Sequence, residues 1–198
     1  MVRPLRIKYA GMTHYFASSM IETLRMCLKP IIRKGQRADA ENLAALAMQV
    51  WLHNYAKEGI SSTISGYVLS EFTAEKFITL LTSTSATILV AEVNANLVGY
   101  ALIDVGVSRP EPTSSKAQLA TLYVQEHFVG KGVGSALLAM AEALAAQNAT
   151  KPLWLTVNAK NHRAIAFYAK HGYTKIGATQ FRLGDNDHEN HVFVGSDT

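Results

Sequence analysis

Cysteine occurs once in the 198 residues, at Cys27, so no disulfide can form within the chain. That scarcity suits a reducing cytoplasm, the location expected here, and a lone thiol reads as a small apolar residue before it reads as a nucleophile. No apolar run approaches the roughly 20 residues that cross a bilayer as a helix, so no membrane association is expected. Excess charge is scarce as well. There are 19 lysines and arginines against 15 acids, a net charge of +4, scattered along the chain. A nucleic-acid footprint would gather the cations on one face, so nucleic acid is not an expected partner, although a modest positive balance fits an anionic ligand. The seven histidines show no ligand spacing, and no structural metal is expected. Without repeats or low-complexity tracts, a chain that is 48% hydrophobic and 17% charged describes one globular domain with a sizeable core.

Acid is nearly absent from the start. Residues 1–29 hold Arg3, Arg6, Lys8, Arg25 and Lys29 against Glu22 alone. A secretory signal would need an apolar block of roughly 7–15 residues and a small-residue cleavage site, and neither follows. An organellar presequence and a second translation start at Met26 are the alternatives to the reading adopted. That reading is an N-terminal extension over 1–29, with no function assigned, and a single domain over 30–198.

What is present alternates between two periods. Ile31, Ile32 and Arg33 suit an edge strand. Over 40–56, Leu43, Leu46, Ala47, Val50 and Tyr55 recur at steps near three and four, the mark of an amphipathic helix, with Asp39 positioned to cap it. The Ser, Thr and Gly of 59–66 read as a loop, and 73–81 as a second helix capped by Thr73. Two β-type runs, 86–93 and 97–107, flank Asn94-Ala95-Asn96 and predict a hairpin; Gly99 marks a bulge or a close backbone approach. Pro110 and Pro112 put a loop at 109–115 before a strand at 116–124. Val133, Leu137, Ala141 and Leu144 give the next helix one apolar stripe ending near Gln147. A strand at 153–157 and a helix at 162–171 follow, the helix capped by Asn161 and ended by Gly172. Strands at 174–183 and 191–194 close the chain around a polar turn at 184–189. The two strands joined by the helix at 133 should be parallel neighbours with a right-handed crossover.

Before that helix stands Gly130-Lys131-Gly132-Val133-Gly134-Ser135. Alternating glycines at a helix start leave N–H groups without helical acceptors and open the positive end of the helix dipole to an anion. A plain strand–turn–helix connection would also use glycine, so the turn alone decides nothing. A Walker loop is excluded because Lys131 precedes Gly132 instead of Ser or Thr. A dinucleotide fingerprint is excluded because Ser135 takes its third glycine position and the next strand carries no acid.

Residues 155–177 then read LTVNAKNHRAIAFYAKHGYTKIG. Together with the glycine turn, the N-x-x-N-x-x-A-x-x-F-Y pattern from Asn158 to Tyr168 resembles the GNAT superfamily of acetyl-CoA-dependent N-acetyltransferases. The likeness runs from about residue 31 to the C-terminus. It implies an α+β fold: a mixed, mostly antiparallel sheet of six to seven strands with helices on both faces. It implies acetyl-CoA as co-substrate, its pyrophosphate on backbone N–H groups around Val129, Gly130, Gly132, Gly134 and Ser135. The backbone of Leu122 and Val124 would pair with pantetheine where two parallel strands splay. Asn161, with Asn158 in the same motif, would bind the cofactor arm from the far side, and Tyr168 would stand as general acid beside the departing thiolate. The chemistry agrees. Amine attack on a thioester makes an oxyanion that strand N–H groups near Leu122 can hold, and its collapse releases a thiolate. A thiol of pKa about 8.5 and a phenol near 10 can exchange that proton in a matched site. The plain alternatives are a core tyrosine at Tyr168, a turn at Asn158 and a helix cap at Asn161.

The tail, Phe181-Arg182-Leu183-Gly184-Asp185-Asn186-Asp187, resembles the F-x-L-G-D-D ending of the PaiA-type branch, linked to polyamine acetylation. That implies a small polycationic acceptor drawn by Asp185 and Asp187; a solvated hairpin turn is the plain reading. Two features depart from the family pattern. Val129 stands where the turn usually opens with Arg or Gln. Residues 116–125 carry no acid, where many members have a glutamate base. A water relay with Asp104, Glu71 or Gln118 is therefore expected. The expected reaction is direct attack on acetyl-CoA by a small-molecule primary amine in a ternary complex. Acetylation of a protein N-terminus or lysine, and acyl-CoA sensing without turnover, are the alternatives. A C-terminal strand pairing with another subunit's edge would give a homodimer.

Overall fold

Among the described residues seven strands form one sheet: β1 (Ile31–Lys34), β2 (Ala86–Val93), β3 (Asn96–Val105), β4 (Ala117–Val124), β5 (Leu153–Asn158), β6 (Thr174–Leu183) and β7 (Asn186–Val194). Their order is β1-β2-β3-β4-β5-β7-β6, and every neighbouring pair is antiparallel except β4 and β5. Five α-helices accompany them among the described residues: α1 (Ala40–Tyr55), α2 (Ser62–Glu71), α3 (Ala74–Thr82), α4 (Val133–Gln147) and α5 (His162–Lys170). This computed structural model describes residues 29–106, 117–148, 150, 152–184 and 186–196. The expected extension, apart from Lys29, lies outside the described residues, as do the expected loop at 109–115 and Asp185.

Strand alternation divides the core in two. Ile88, Val90 and Tyr100 pack beneath α1 and α3, against Leu43, Leu46 and Phe77. Leu89, Ala101 and Ile103 turn the other way and meet Val133, Leu137 and Ala141 of α4. Helices therefore cover both faces, and the fold is the mostly antiparallel α+β sheet that the sequence resemblance implies. Ala145 takes the last buried place on α4, with Leu144 half-buried beside it. Gly99 is both things expected of it. A Cβ there would lie 2.7 Å from the Tyr123 carbonyl oxygen, and the β2–β3 register shifts beside it, between Ala91 and Glu92. Among the described residues no helix is long and apolar enough to cross a membrane.

Three local expectations are overturned. Asp39 precedes α1 but makes no capping bond to it. Its carboxylate accepts from Arg33 Nη1 and Nη2 at 2.7 and 2.8 Å and from the Gln36 N–H at 2.7 Å. A charge-assisted pair is stronger than a bond to an orphan helix N–H. Residues 59–66 are not a continuous loop, because α2 starts at Ser62 and Ser61 Oγ accepts from the Ile64 N–H at 3.3 Å. Serine and glycine are weak helix formers, so packing decides: Val68 is buried and Tyr67 lies 5.0 Å from Trp51, centroid to centroid. The polar stretch 186–190 is strand and not turn, since β6 and β7 pair all the way from Thr174↔Val194 to Leu183↔Asn186. Backbone ladders on a solvated ribbon need no apolar side chains.

Candidate active site

β4 and β5 pair only where they begin, Ala117 with Leu153 and Gln118 with Trp154. Beyond that point β4 stays with β3 and β5 stays with β7, so the parallel pair splays open. Strand backbones carry obligatory donors and acceptors. The gap therefore presents two rows of polar groups that the strands do not use on each other. A register shift between Leu102 and Ile103 leaves Ala120 without an opposite residue on β3. After this bulge Leu122 and Val124 pack toward α4 and α5, and Tyr123 packs toward α1.

A cavity of about 400 Å³ occupies the gap, and Leu122, Tyr123 and Val124 all line it. Consecutive strand residues point to opposite faces, so the cavity runs through the sheet. One end is walled by the glycine turn and the other by α1, through Val50, Asn54 and Tyr55.

At the first end, α4 opens after Gly132, which has φ 84° and ψ −5°, and Gly130 has φ 77°. Glycine adopts these angles without steric cost. No side chain caps the helix. The N–H groups of its first turn, Val133, Gly134 and Ser135, therefore have no helical acceptor and point with the positive end of the dipole. A Cβ at Gly130 or Gly132 would meet nothing within 4 Å, while one at Gly134 would touch the Phe167 ring at 3.5 Å. The turn is open on its outer side and packed against α5 at its base. Val129 lines the cavity, but its own N–H donates to the Glu126 carbonyl at 3.2 Å. Ser135 Oγ lies 3.0 Å from His171 Nε2, and His171 Nδ1 lies 2.8 Å from the Phe167 carbonyl. A carbonyl only accepts, so Nδ1 carries a hydrogen, and in the neutral ring Nε2 then accepts the Ser135 O–H.

From the α5 side, Asn161 lines the cavity while its Oδ1 accepts from the Ala164 N–H at 3.1 Å. Asn158 is not brought to the lining. Its Oδ1 accepts from the Lys160 N–H at 2.9 Å and shapes the turn between β5 and α5. Tyr168 is 7% exposed and lines the cavity. Burial pushes its pKa well above the ordinary phenol range, so the hydroxyl keeps its proton at neutral pH and remains a donor.

Sequence reasoning missed Tyr55, Asn54 and Tyr123, because they reach the cavity from α1 and from the far face of β4. It also passed over Arg163 and Lys170, which line the cavity from α5. Their seven-residue separation is two helical turns, so a shared face was legible. Arg163 Nη1 donates to both Glu126 oxygens at 2.8 Å, tying the turn after β4 to α5 across the open end of the splay. His53 Nε2 stands 3.4 Å from the same carboxylate. The three side chains named for the water relay are elsewhere. Asp104 pairs with Gln118 in the β3–β4 ladder at the closed end, and Glu71 pairs with Lys76 at 2.9 Å. Asp187 sits opposite Arg182 on the β6–β7 ribbon. Among the described residues no carboxylate lines the cavity.

Comparison with known proteins agrees with this geometry. The profile of the Acetyltransferase (GNAT) family matches residues 46–173. An uncharacterized N-acetyltransferase of Mycobacterium tuberculosis is 32% identical over 156 residues, covering 79% of this chain and 96% of the relative. A spermidine N(1)-acetyltransferase of Thermoplasma acidophilum is 24% identical over 146 residues, covering 72% of this chain and 86% of the relative. In fold, the crystal structure of the PaiA N-acetyltransferase of Thermoplasma acidophilum in complex with coenzyme A is similar. Its TM-score is 0.70 at 21% identity, covering 85% of this chain and 99% of that one.

Proposed function

From the premise that this chain belongs to the acetyltransferase (GNAT) family and is an N-acetyltransferase, we propose that it acetylates a primary amine of a small molecule. The acetyl donor is acetyl-CoA, which the coenzyme A complex of the similar Thermoplasma fold supports. The observation that carries the reading is the cavity through the β4–β5 splay, with an uncapped helix N-terminus at one end and buried Tyr168 on its wall.

The residues present fit such a donor. The first-turn N–H groups of α4 and the glycine backbone at Gly130, Gly132 and Gly134 suit a pyrophosphate, with Ser135 beside them. Val129 would add apolar surface rather than its N–H. The free edge of β4 at Leu122 and Val124 suits the amides of a pantetheine arm, and Asn161 keeps its Nδ2 to donate from the other side. An N–H near Leu122 holds the oxyanion that forms when the amine attacks the thioester. Tyr168 gives its proton toward the departing sulfur. Burial raises the phenol pKa, and the same burial raises that of the thiol, which keeps the two within reach of each other. The attacking ammonium, of pKa near 10, first loses a proton to water in the cavity, since no carboxylate of the described lining takes it. Attack is direct, in a ternary complex. We further propose a reducing cytoplasm as the location and a homodimer through the outer edge of β6, which ends the sheet.

A second reading, a polyamine as acceptor, is favoured by the Phe181–Leu183 tail and the Thermoplasma spermidine relative. Calorimetric titration with acetyl-CoA, followed by free amines and then peptides with thiol release as readout, tests the proposal. Binding below ~1 mM and turnover of a free amine are expected. No binding at that concentration, or turnover of peptides alone, refutes it.

A further inference from the structure

Resting on the acetyl-transfer reading, we propose that the acceptor is a singly charged amine on an apolar or aromatic body, seated against Tyr55 and Tyr123 on the α1 side. A polyamine is then a poor substrate. Because the cavity passes through the sheet, the donor entering along the glycine turn leaves the α1 side for the acceptor. That side is built of rings. Trp51 lies 4.9 Å from Tyr55 and 5.0 Å from Tyr67, and Tyr100 lies 5.6 Å from Tyr123, all between centroids. Burial, and then the neighbouring hydroxyls of Tyr100, Tyr55, Tyr67 and Tyr168, raise the pKa of Tyr123. These phenols are close together and uncharged.

Fixed charge is distributed the other way. The cationic side chains on the lining, Arg163 and Lys170, both belong to α5, and Arg163 is already bound by Glu126. Among the described residues no carboxylate lines the cavity, and Glu126, which stands beside it with Val50 and Asn54, is already paired with Arg163. An amine with one charge can enter over the ring faces as a cation and lose its proton before attack. Its apolar body then gains by burial against the tyrosines. Spermidine would carry further ammonium groups into the same space, where no carboxylate of the described lining receives them.

Steady-state CoA release with tyramine, n-hexylamine and spermidine at physiological salt tests this. We expect kcat/KM for tyramine to exceed that for spermidine by about tenfold or more, the order that desolvating a polar group without a partner produces. Asn54 lines the same wall, its Nδ2 donating to the Val50 carbonyl at 2.9 Å. Asn54→Asp should move the ratio toward spermidine by roughly threefold or more, and Tyr55→Ala should lower kcat/KM for tyramine while leaving the acetyl-CoA Kd in place. If spermidine equals or exceeds tyramine, or the ratio is unmoved in Asn54→Asp, the inference fails and acetyl transfer to amines stands. If acetyl-CoA binds and no amine releases CoA, both fail.

Discussion

Replacing Tyr168 by phenylalanine removes one hydroxyl from the cavity wall and leaves the ring between Phe167 and Tyr173, 5.2 and 5.6 Å away. Burial raises the pKa of this phenol, and among the described residues no side chain or backbone group is bonded to its hydroxyl, so the substitution orphans no described donor or acceptor. The change is also nearly volume-conserving. Stability should move by less than ~1 kcal/mol, which in a chain of this size shifts Tm by less than about 4 °C. A lost general acid costs about 10²- to 10⁴-fold in rate, or roughly 3–5 kcal/mol of barrier. The expected result is therefore a fall of two to four decades in kcat with an unchanged Kd for acetyl-CoA. Initial rates of thiol release at saturating acetyl-CoA, calorimetry and a melting curve on the same preparation separate these quantities. Because the phenol stays protonated throughout, the loss should be equal at every pH between about 6 and 9. A loss below about fivefold at unchanged Kd refutes the acid role. A large loss with a Tm fall beyond about 8 °C would assign the effect to packing instead.

The same methyl group should act with opposite sign at two glycines. Gly99→Ala sets a Cβ 2.7 Å from the Tyr123 carbonyl and should destabilise by roughly 1–3 kcal/mol. Gly66→Ala, within α2 with nothing inside 4 Å, should stabilise by about 0.5–1 kcal/mol; melting shifts of one sign would refute the packing argument. Gly132→Ala strains a residue at φ 84° and sets a methyl on the open face of the turn. It should weaken acetyl-CoA about tenfold, the worth of one lost bond to a charged group, and an unchanged calorimetric Kd would remove the pyrophosphate from this turn. Arg33 holds the Asp39 carboxyl below the usual carboxylate range, with the Gln36 N–H assisting. A depressed folded pKa means that the stabilisation is present above about pH 4 and lost as pH falls through the folded value. Asp39→Asn should cost roughly 1–3 kcal/mol at pH 7 in denaturant titrations, and the gap should narrow below about pH 4. A gap that stays constant to pH 2 would rule out the ion pair as its source.

The parts legible in the sequence are those stabilised within a few residues. The helix from Val133 to Gln147 follows from its apolar spacing, the Asn161 cap closes on Ala164 three residues on, and the glycine turn stands at the helix start where its spacing put it. Misreadings begin where a local rule competes with a distant partner. Asp39 looks like a helix cap until Arg33, itself bound to Glu92 59 positions away, claims its carboxylate. The serines at 61–65 look like a loop until the Trp51 and Tyr67 rings stack and α2 becomes worth forming.

Residue types and their order thus determined the glycine turn at a helix start, the asparagine–tyrosine motif and the family of the chain. Tertiary structure alone decided where β4 and β5 part, that the cavity crosses the sheet, and that tyrosines from α1 and β4 wall its far end. The physical reason is that helix caps and turns are short-range equilibria written in neighbouring residues. A gap between two strands is defined by pairing that does not occur, and that depends on every other strand in the sheet.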